Sequence, residues 1–335
     1  RYMEICLYHD TSGYYSKPGP KTGREGDFYT APHVHQLFGK TISRWLSATL
    51  QTMGISHPKL LELGPGGGQL AEDILESWPE DTTEPGLMLV EASAYARSLL
   101  EDRLKDYDVV VYPPEDWAGL PEFSGAVIAN EFFDALPLRL LERKGENLLE
   151  VHVKDCGDCL EETLLPVQHS SLDTAVLELA GELLPDNRLE FAPESRSWLL
   201  RLGRKLKSGI VMILDYGDTF DGLNAQWRTG GTLRCYRRHR VEADPLTDPG
   251  GMDITAHVNF TLLRDWATEA GFTVNNYTTQ SSFLIRAGIL DLLTEQLDGR
   301  KEDPKAIREW LAVKNLIHDE GGMGEIFKVI VLKKQ

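Results

Sequence analysis

The stretch Leu60-Leu61-Glu62-Leu63-Gly64-Pro65-Gly66-Gly67-Gly68 decides how this chain is read. An apolar run ends in an acidic residue and glycines at 64, 66 and 68, and Gln69–Trp78 then repeats at helical period. Leu70, Ala71, Ile74, Leu75 and Trp78 fall on one face of that helix. A strand passing through a Gly-rich turn into a helix lets a ligand lie against backbone. Glycine removes the Cβ where the ligand approaches, and the helix N-terminus offers N–H donors. Glu62, two positions before the first glycine, suits a ligand that carries positive charge.

The spacing is the E-x-G-x-G-x-G pattern of proteins that bind S-adenosylmethionine (SAM), and SAM is the expected cofactor. Two other readings compete. Gly66-x-Gly68-x-x-Ala71 also meets the dinucleotide fingerprint, and Glu91 follows at about the twenty residues that motif asks, which would make an NAD-dependent oxidoreductase. A purely structural Gly-rich turn is the third. Glu62 favours SAM, because a carboxylate repels a pyrophosphate and complements an aminoacyl ammonium.

Composition sets the bounds. The 335 residues are 41% hydrophobic and 26% charged, ordinary for a globular protein of one large or two small domains. The 52 acidic and 35 basic side chains leave a formal charge of −17, which argues against nucleic acid as a partner. No stretch approaches the roughly 20 apolar residues of a membrane span. The chain opens on Arg1, read as a trimmed N-terminus, so a targeting peptide is left open. Four cysteines suit a reducing compartment. Cys156-Gly157-Asp158-Cys159 is formally C-x-x-C, but it lies in a Gly/Asp turn with no second pair at zinc spacing, so a hairpin turn is expected and no metal.

Along the chain, strands alternate with helices. Loops rich in Gly, Pro and Tyr lead to a helix from about Pro32, with Thr30 as its cap. Strands are expected at Lys59–Leu63, Gly86–Val90, Asp108–Tyr112, Gly125–Ala129 and Ile210–Leu214, and a final pair at Phe272–Thr278 and Phe327–Leu332. Glu62, Glu91, Asn130, Glu131 and Asp215 fall at the C-terminal ends of successive strands, where an open α/β sheet binds its ligand. The expected fold is a Rossmann-like, seven-stranded, mostly parallel sheet with an inserted subdomain and an N-terminal cover. Four segments follow: a cover over 1–58, the first half of the cofactor domain over 59–136, an inserted cap over 137–207 that contains the strand-like Asn147–Lys154, and the second half over 208–335. The basic run Arg234-Cys235-Tyr236-Arg237-Arg238-His239-Arg240 is read as a solvated strand, with an anionic contact as the alternative.

Several longer motifs carry a resemblance. Tyr8-x-x-x-x-Gly13-Tyr14-Tyr15, Gly26-Asp27-Phe28-Tyr29-Thr30-Ala31-Pro32, Leu37-Phe38-Gly39 and Glu62-Leu63-Gly64-Pro65-Gly66 come first. Asn130-Glu131-Phe132-Phe133-Asp134-Ala135-Leu136-Pro137 and Asp253-Ile254-Thr255-Ala256-His257-Val258 follow in order. Together they resemble the MidA-like methyltransferases, a family that includes a mitochondrial complex I assembly factor methylating an arginine of a complex I subunit. The resemblance covers nearly the whole chain. It departs at Gly67, where the family often has Arg or another larger residue.

The resemblance implies a class I SAM-dependent fold and roles for particular residues. Gly64, Gly66 and Gly68 would pass under the aminoacyl and ribose portions of SAM, with Gln69 and Asn130 beside them. Glu62 would lie near the ammonium, and Glu91 would accept from the ribose hydroxyls. Asp116 and Trp117 would meet the adenine, and Gly26–Thr30, with Asp27 and Thr30, would cover the cofactor. Glu131 and Asp134 are the candidates to hold a guanidinium and take its proton, with His257 as a supporting base or orienting group. Protein arginine methylation of a partner, such as a respiratory complex I subunit, is the implied activity. A SAM-binding assembly scaffold with little catalysis is the alternative. The location would be cytoplasmic in a bacterium and the mitochondrial matrix in a eukaryote.

Overall fold

The computed structural model of the chain describes all residues except 24, 25, 28, 29, 238, 239, 243, 301, 302 and 319–321. Phe28 and Tyr29 of the expected cover, and Arg238 and His239 of the basic run, therefore lie outside the described residues. The chain divides into two compact units. One holds Pro18–Phe132, Leu202–Asp215 and Gly271–Gln335, and the other holds Arg1–Lys17, Phe133–Arg201 and Tyr216–Ala270.

The first unit is built on a mostly parallel sheet. Strands β1 (Lys59–Leu63), β2 (Gly86–Val90), β3 (Val109–Tyr112) and β4 (Phe123–Asn130) are short and apolar, as strands covered on both faces must be. The sheet order is Thr273–Thr279, Phe327–Lys334, Leu206–Asp218, β4, β1, β2, β3. The pairs of β1 with β2 and β4, of β2 with β3, and of β4 with Leu206–Asp218 are parallel, while Thr273–Thr279 runs antiparallel to Phe327–Lys334. The reversal of order between β1 and β4 creates the switch point at which such sheets bind ligands. Register puts Leu63 opposite Val90 and Ala129, and Asn130 opposite Leu214. The turn after β1, Glu91, Asn130 and Asp215 thus share one rim.

Helices seal the sheet with apolar side chains. Phe38, Ile42 and Leu46 of the helix Leu37–Thr52 join Leu60, Leu89, Ile128 and Met212 of the strands in one core, with Leu292 and Val313 from the C-terminal helices. The expected single helix from Pro32 is broken. A short helix, Ala31–Val34, stops at His35, whose extended φ and ψ end the turn before Leu37–Thr52 begins. Thr30 stands at the N-cap position but does not cap the helix; its hydroxyl pairs with His33 Nδ1 at 2.7 Å.

The second unit is antiparallel. A four-stranded sheet orders Leu160–Pro166, Asn147–Asp155, Arg139–Lys144 and Arg188–Phe191, and a three-stranded one orders Arg240–Glu242, Arg234–Arg237 and Asp253–Thr255. The N-terminal helix Tyr2–Tyr8 belongs here: Met3, Cys6, Leu7 and Tyr14 bury against Cys235, Met252 and Ile254. The compact units do not follow the four expected segments one for one. Residues 1–17 of the expected cover and 216–270 fall with most of the expected cap, because their apolar side chains find partners there. Cys156 and Cys159 sit in the hairpin turn between Asn147–Asp155 and Leu160–Pro166, where Cys156 N–H donates to the Cys159 carbonyl at 2.9 Å.

Candidate functional site

The turn after β1 is shaped by backbone sign. Gly64, Gly66 and Gly68 have φ of 66°, 54° and 79°, the left-handed region that side chains disfavour. A Cβ on Gly64 would stand 2.9 Å from Phe132, whereas one on Gly66 would meet nothing within 4 Å. Gly66 thus faces open space, the arrangement a ligand lying against the backbone requires.

Two carboxyls frame that turn. Glu91, 8% exposed, accepts from Gly66 N–H at 3.0 Å and from Ser93 N–H at 2.7 Å, binding the glycine turn to the start of the helix Ala94–Arg103. Burial raises its pKa, and these backbone donors oppose the rise. A carboxylate offers about four lone-pair directions, more than its backbone donors occupy, and what is left suits a diol hydroxyl. Glu62 is 3% exposed, and its Oε2 has no hydrogen-bond partner among the described residues. Burial, aided by the nearby Glu91, pushes its carboxyl up to about 8. A buried carboxyl oxygen without a partner suits a cation, and the ammonium of SAM is one. The residues present fit the cofactor.

The other expected contacts are placed unevenly. Asp116 and Trp117 lie on the 3-10 helix Pro114–Gly119 that follows β3, with Asp116 exposed and Trp117 half-buried. Asn130 Oδ1 is buried without a partner among the described residues, and its amide donates to Glu131 Oε1 at 3.4 Å. Glu131 Oε1 also accepts from Ala31 N–H at 3.3 Å. Glu131 has φ of 50°, strained for a residue with a side chain, and strain of this kind collects at functional positions. Asp27 is half-buried, with its N–H bonded to the Lys21 carbonyl at 2.8 Å. Gln69 turns elsewhere: its amide donates to Asp73 at 2.9 Å and accepts from Arg103 at 2.8 Å.

The second unit gathers acids with tyrosines. Asp134, 5% exposed, accepts from the Tyr216 hydroxyl through Oδ2. Burial pushes its carboxyl up to about 6, and the Tyr216 hydrogen bond opposes that rise. Asp253, 1% exposed, accepts from the Tyr15 hydroxyl at 2.8 Å. Arg228 Nη1 lies 3.3 Å from His257 Nδ1, and the Tyr216 ring meets His257 edge-on at 5.6 Å. Tyr15 and Asp253 lie within stretches singled out in the sequence and Tyr216 follows Asp215, yet their pairings span 82 and 238 positions. Arg228 carried no sequence signal. Among the described residues no three His, Cys, Asp or Glu side chains cluster as metal ligands, and no helix is long and apolar enough to cross a membrane.

Comparison with known proteins places the chain in a family. Residues 41–278 match the family model described as "Putative S-adenosyl-L-methionine-dependent methyltransferase". The mitochondrial protein arginine methyltransferase NDUFAF7 of Xenopus laevis is 28% identical, covering 98% of this chain and 78% of its own length. The mouse protein of that name is also 28% identical, over 99% of this chain and 79% of its own. A COG1565 superfamily member from Burkholderia thailandensis, crystallised with S-adenosyl-homocysteine, superposes with a TM-score of 0.88 at 30% identity. That match covers 100% of this chain and 87% of the other.

Proposed function

The chain belongs to the MidA-like family of SAM-dependent methyltransferases, and we propose that its acceptor is an arginine guanidinium of a partner protein. Bound SAM supplies an electrophilic methyl group on a sulfonium. Glu62 holds the aminoacyl ammonium, Glu91 takes the ribose hydroxyls, and Gly64–Gly68 keep the floor of the cradle free of side chains. Asp116 and Trp117 receive the adenine, while Asp27 and Thr30 cover the cofactor.

Acceptor chemistry falls to the carboxylates after β4. A guanidinium is held best by carboxylate oxygens, which would fix its plane and accept the proton it sheds as the methyl–sulfur bond breaks, its electron pair staying on sulfur, and the new C–N bond forms. Glu131 and Asp134 take these roles. The observation that carries the reading is Asp134: a buried carboxyl whose Tyr216 partner favours its ionised form. The curated relatives named as protein arginine methyltransferases support the same acceptor class. Those relatives are named as mitochondrial, which supports a mitochondrial location for a eukaryotic chain; the complex I subunit as partner rests on the motif resemblance alone.

The test is transfer of isotope-labelled methyl from SAM to proteins of an extract lacking this enzyme, with the modified residue identified by mass spectrometry. Label in methylarginine, lost with Glu131→Gln while SAM affinity is kept, supports the proposal. Label in another residue type, or none despite tight cofactor binding, sinks it; the second result would indicate a scaffold.

A further inference from the structure

One motif of the sequence has no part in the methyl-transfer site: Cys156-Gly157-Asp158-Cys159, in the unit that holds Asp134. Its two cysteines are exposed, whereas Cys6 and Cys235 are buried. The strands Asn147–Asp155 and Leu160–Pro166 pair through Asp155 and Leu160, so the next residues in register are Cys156 and Cys159. The bond from Cys156 N–H to the Cys159 carbonyl at 2.9 Å makes them a directly opposed, hydrogen-bonded pair. Gly157, at a φ of 92°, and its N–H bond to Asp155 Oδ1 at 2.8 Å close the turn between them.

Opposed residues share one face of a hairpin, and residues two apart along a strand share it too. Cys156, Cys159 and Glu161 therefore project from the same face. Their contacts agree: the Cys156 thiol donates to Glu161 Oε2 at 3.5 Å, and the Cys159 thiol donates to Oε1 at 3.7 Å. One carboxylate gathers both sulfurs. It also opposes thiolate formation. The Cys156 thiol pKa is raised by desolvation first, then by the Glu161 hydrogen bond and charge, and by Cys159.

A hydrogen-bonded pair holds its Cα atoms about 5.5 Å apart, inside the roughly 4.4–6.8 Å that disulfides span. Its Cβ atoms stand about 5–5.5 Å apart, whereas a relaxed disulfide wants about 3.8 Å. Closing the bond draws the turn in by more than about 1 Å. It also gives up the two thiol–carboxylate hydrogen bonds. Both effects favour the dithiol, so the disulfide forms under oxidising conditions and is readily reduced.

We infer that Cys156 and Cys159 form a reversible thiol–disulfide modification site, with Glu161 the positioning residue that holds it reduced at rest. The co-reactant is a small-molecule disulfide. One cysteine thiol loses its proton to solvent, and its sulfur attacks the co-reactant; one half leaves as a thiolate and takes up a proton. The second cysteine loses its proton in the same way and attacks the protein-side sulfur of that mixed disulfide, and the other half leaves as a second thiol. The protein dithiol is thereby oxidised by two electrons, and the co-reactant is reduced to two thiols. Nothing in this chemistry depends on the identity of the methyl acceptor.

The experiment equilibrates the full chain in glutathione buffers of rising disulfide content, followed by acid quench, alkylation and peptide mass spectrometry. The peptide spanning Cys156 and Cys159 should pass from a dialkylated form to one that has lost two hydrogens and takes up no alkylating agent. Dithiothreitol should restore it, and Cys6 and Cys235 should stay thiols. Cys156→Ser and Cys159→Ser should each stop at a mixed disulfide with glutathione on the remaining cysteine. Glu161→Ala should raise the disulfide-to-dithiol ratio in a fixed buffer roughly 3- to 10-fold, the size of one modest hydrogen bond, and should speed alkylation of the dithiol. Glutathione on both cysteines of the wild type, a cross-link between two chains, or a pair that stays reduced in glutathione disulfide alone would overturn the inference. An unchanged ratio and alkylation rate in Glu161→Ala would remove Glu161 from the site.

Discussion

Burial pushes the Glu62 carboxyl up to about 8, so the free protein holds a proton there at pH 7 that the unfolded chain releases. The folded state binds more protons between about pH 4.5 and 8, and this group therefore lowers stability as pH rises across that window. An ammonium at Glu62 favours the ionised form, so SAM binding at pH 7 should expel the proton. Calorimetric heats should then depend on the ionisation enthalpy of the buffer. Glu62→Gln should remove that dependence and weaken SAM by roughly 10- to 100-fold, the range for a hydrogen bond to a charged group. Buffer-independent heats in the wild type would contradict this. Asp134 gives a second pH test. Its carboxyl, pushed up to about 6, should set an acidic limb on kcat/KM, with activity rising as pH rises through that value. The Tyr216 hydroxyl stabilises the charged form, so Tyr216→Phe should move the limb to higher pH; an unmoved limb would remove Asp134 from the chemistry. Glu62 and the glycines were legible because their motif is local. The Asp134–Tyr216 and Asp253–Tyr15 pairs were not, because no local pattern reports a contact across 82 or 238 positions.

Among the elements, the central strands meet at points where only backbone fits. Lys59, Gly125 and Gly209 lie side by side in the register of three neighbouring strands. A Cβ on Gly125 would stand 1.9 Å from the Lys59 carbonyl oxygen, and one on Gly209 1.8 Å from that of Gly125. Their φ values of 150° and 142° are likewise glycine's own. Gly209→Ala should cost more than about 3 kcal/mol or prevent folding, because neither strand can retreat without breaking the ladder. Urea denaturation showing a loss below about 1 kcal/mol would refute that. Sequence periodicity located every strand of this sheet's core, but it trimmed Leu206–Asp218 to Ile210–Leu214, since Lys207, Ser208 and Gly209 separate Leu206 from the apolar run and Asp215–Asp218 are polar, tyrosine or glycine. The four-stranded antiparallel sheet showed only as Asn147–Lys154. Its neighbours are charged on their exposed faces, and Arg188–Phe191 is only 4 residues long, too short for a periodic signal.

For the whole molecule, the formal charge of −17 favours a basic partner over an acidic one. If the acceptor is an arginine in such a partner, KM for that protein should rise with ionic strength while SAM affinity changes little, because steering is screened and buried cofactor contacts are not. Equal salt sensitivity of the two would argue against electrostatic capture. The fold class was legible from the order of apolar strands and helices. The grouping of residues 1–17 with 133–201 and 216–270 was not, since it depends on which apolar faces meet. The glycine cradle is the proposed floor of the cofactor site, and calorimetric titration of the wild type and Gly66→Val with S-adenosylhomocysteine tests it most directly. The wild type should bind one equivalent. The variant should bind none while still unfolding cooperatively, with Tm lowered by the strain of valine at a φ of 54°. Unchanged affinity in Gly66→Val would place the cofactor elsewhere and contradict the roles drawn from this turn.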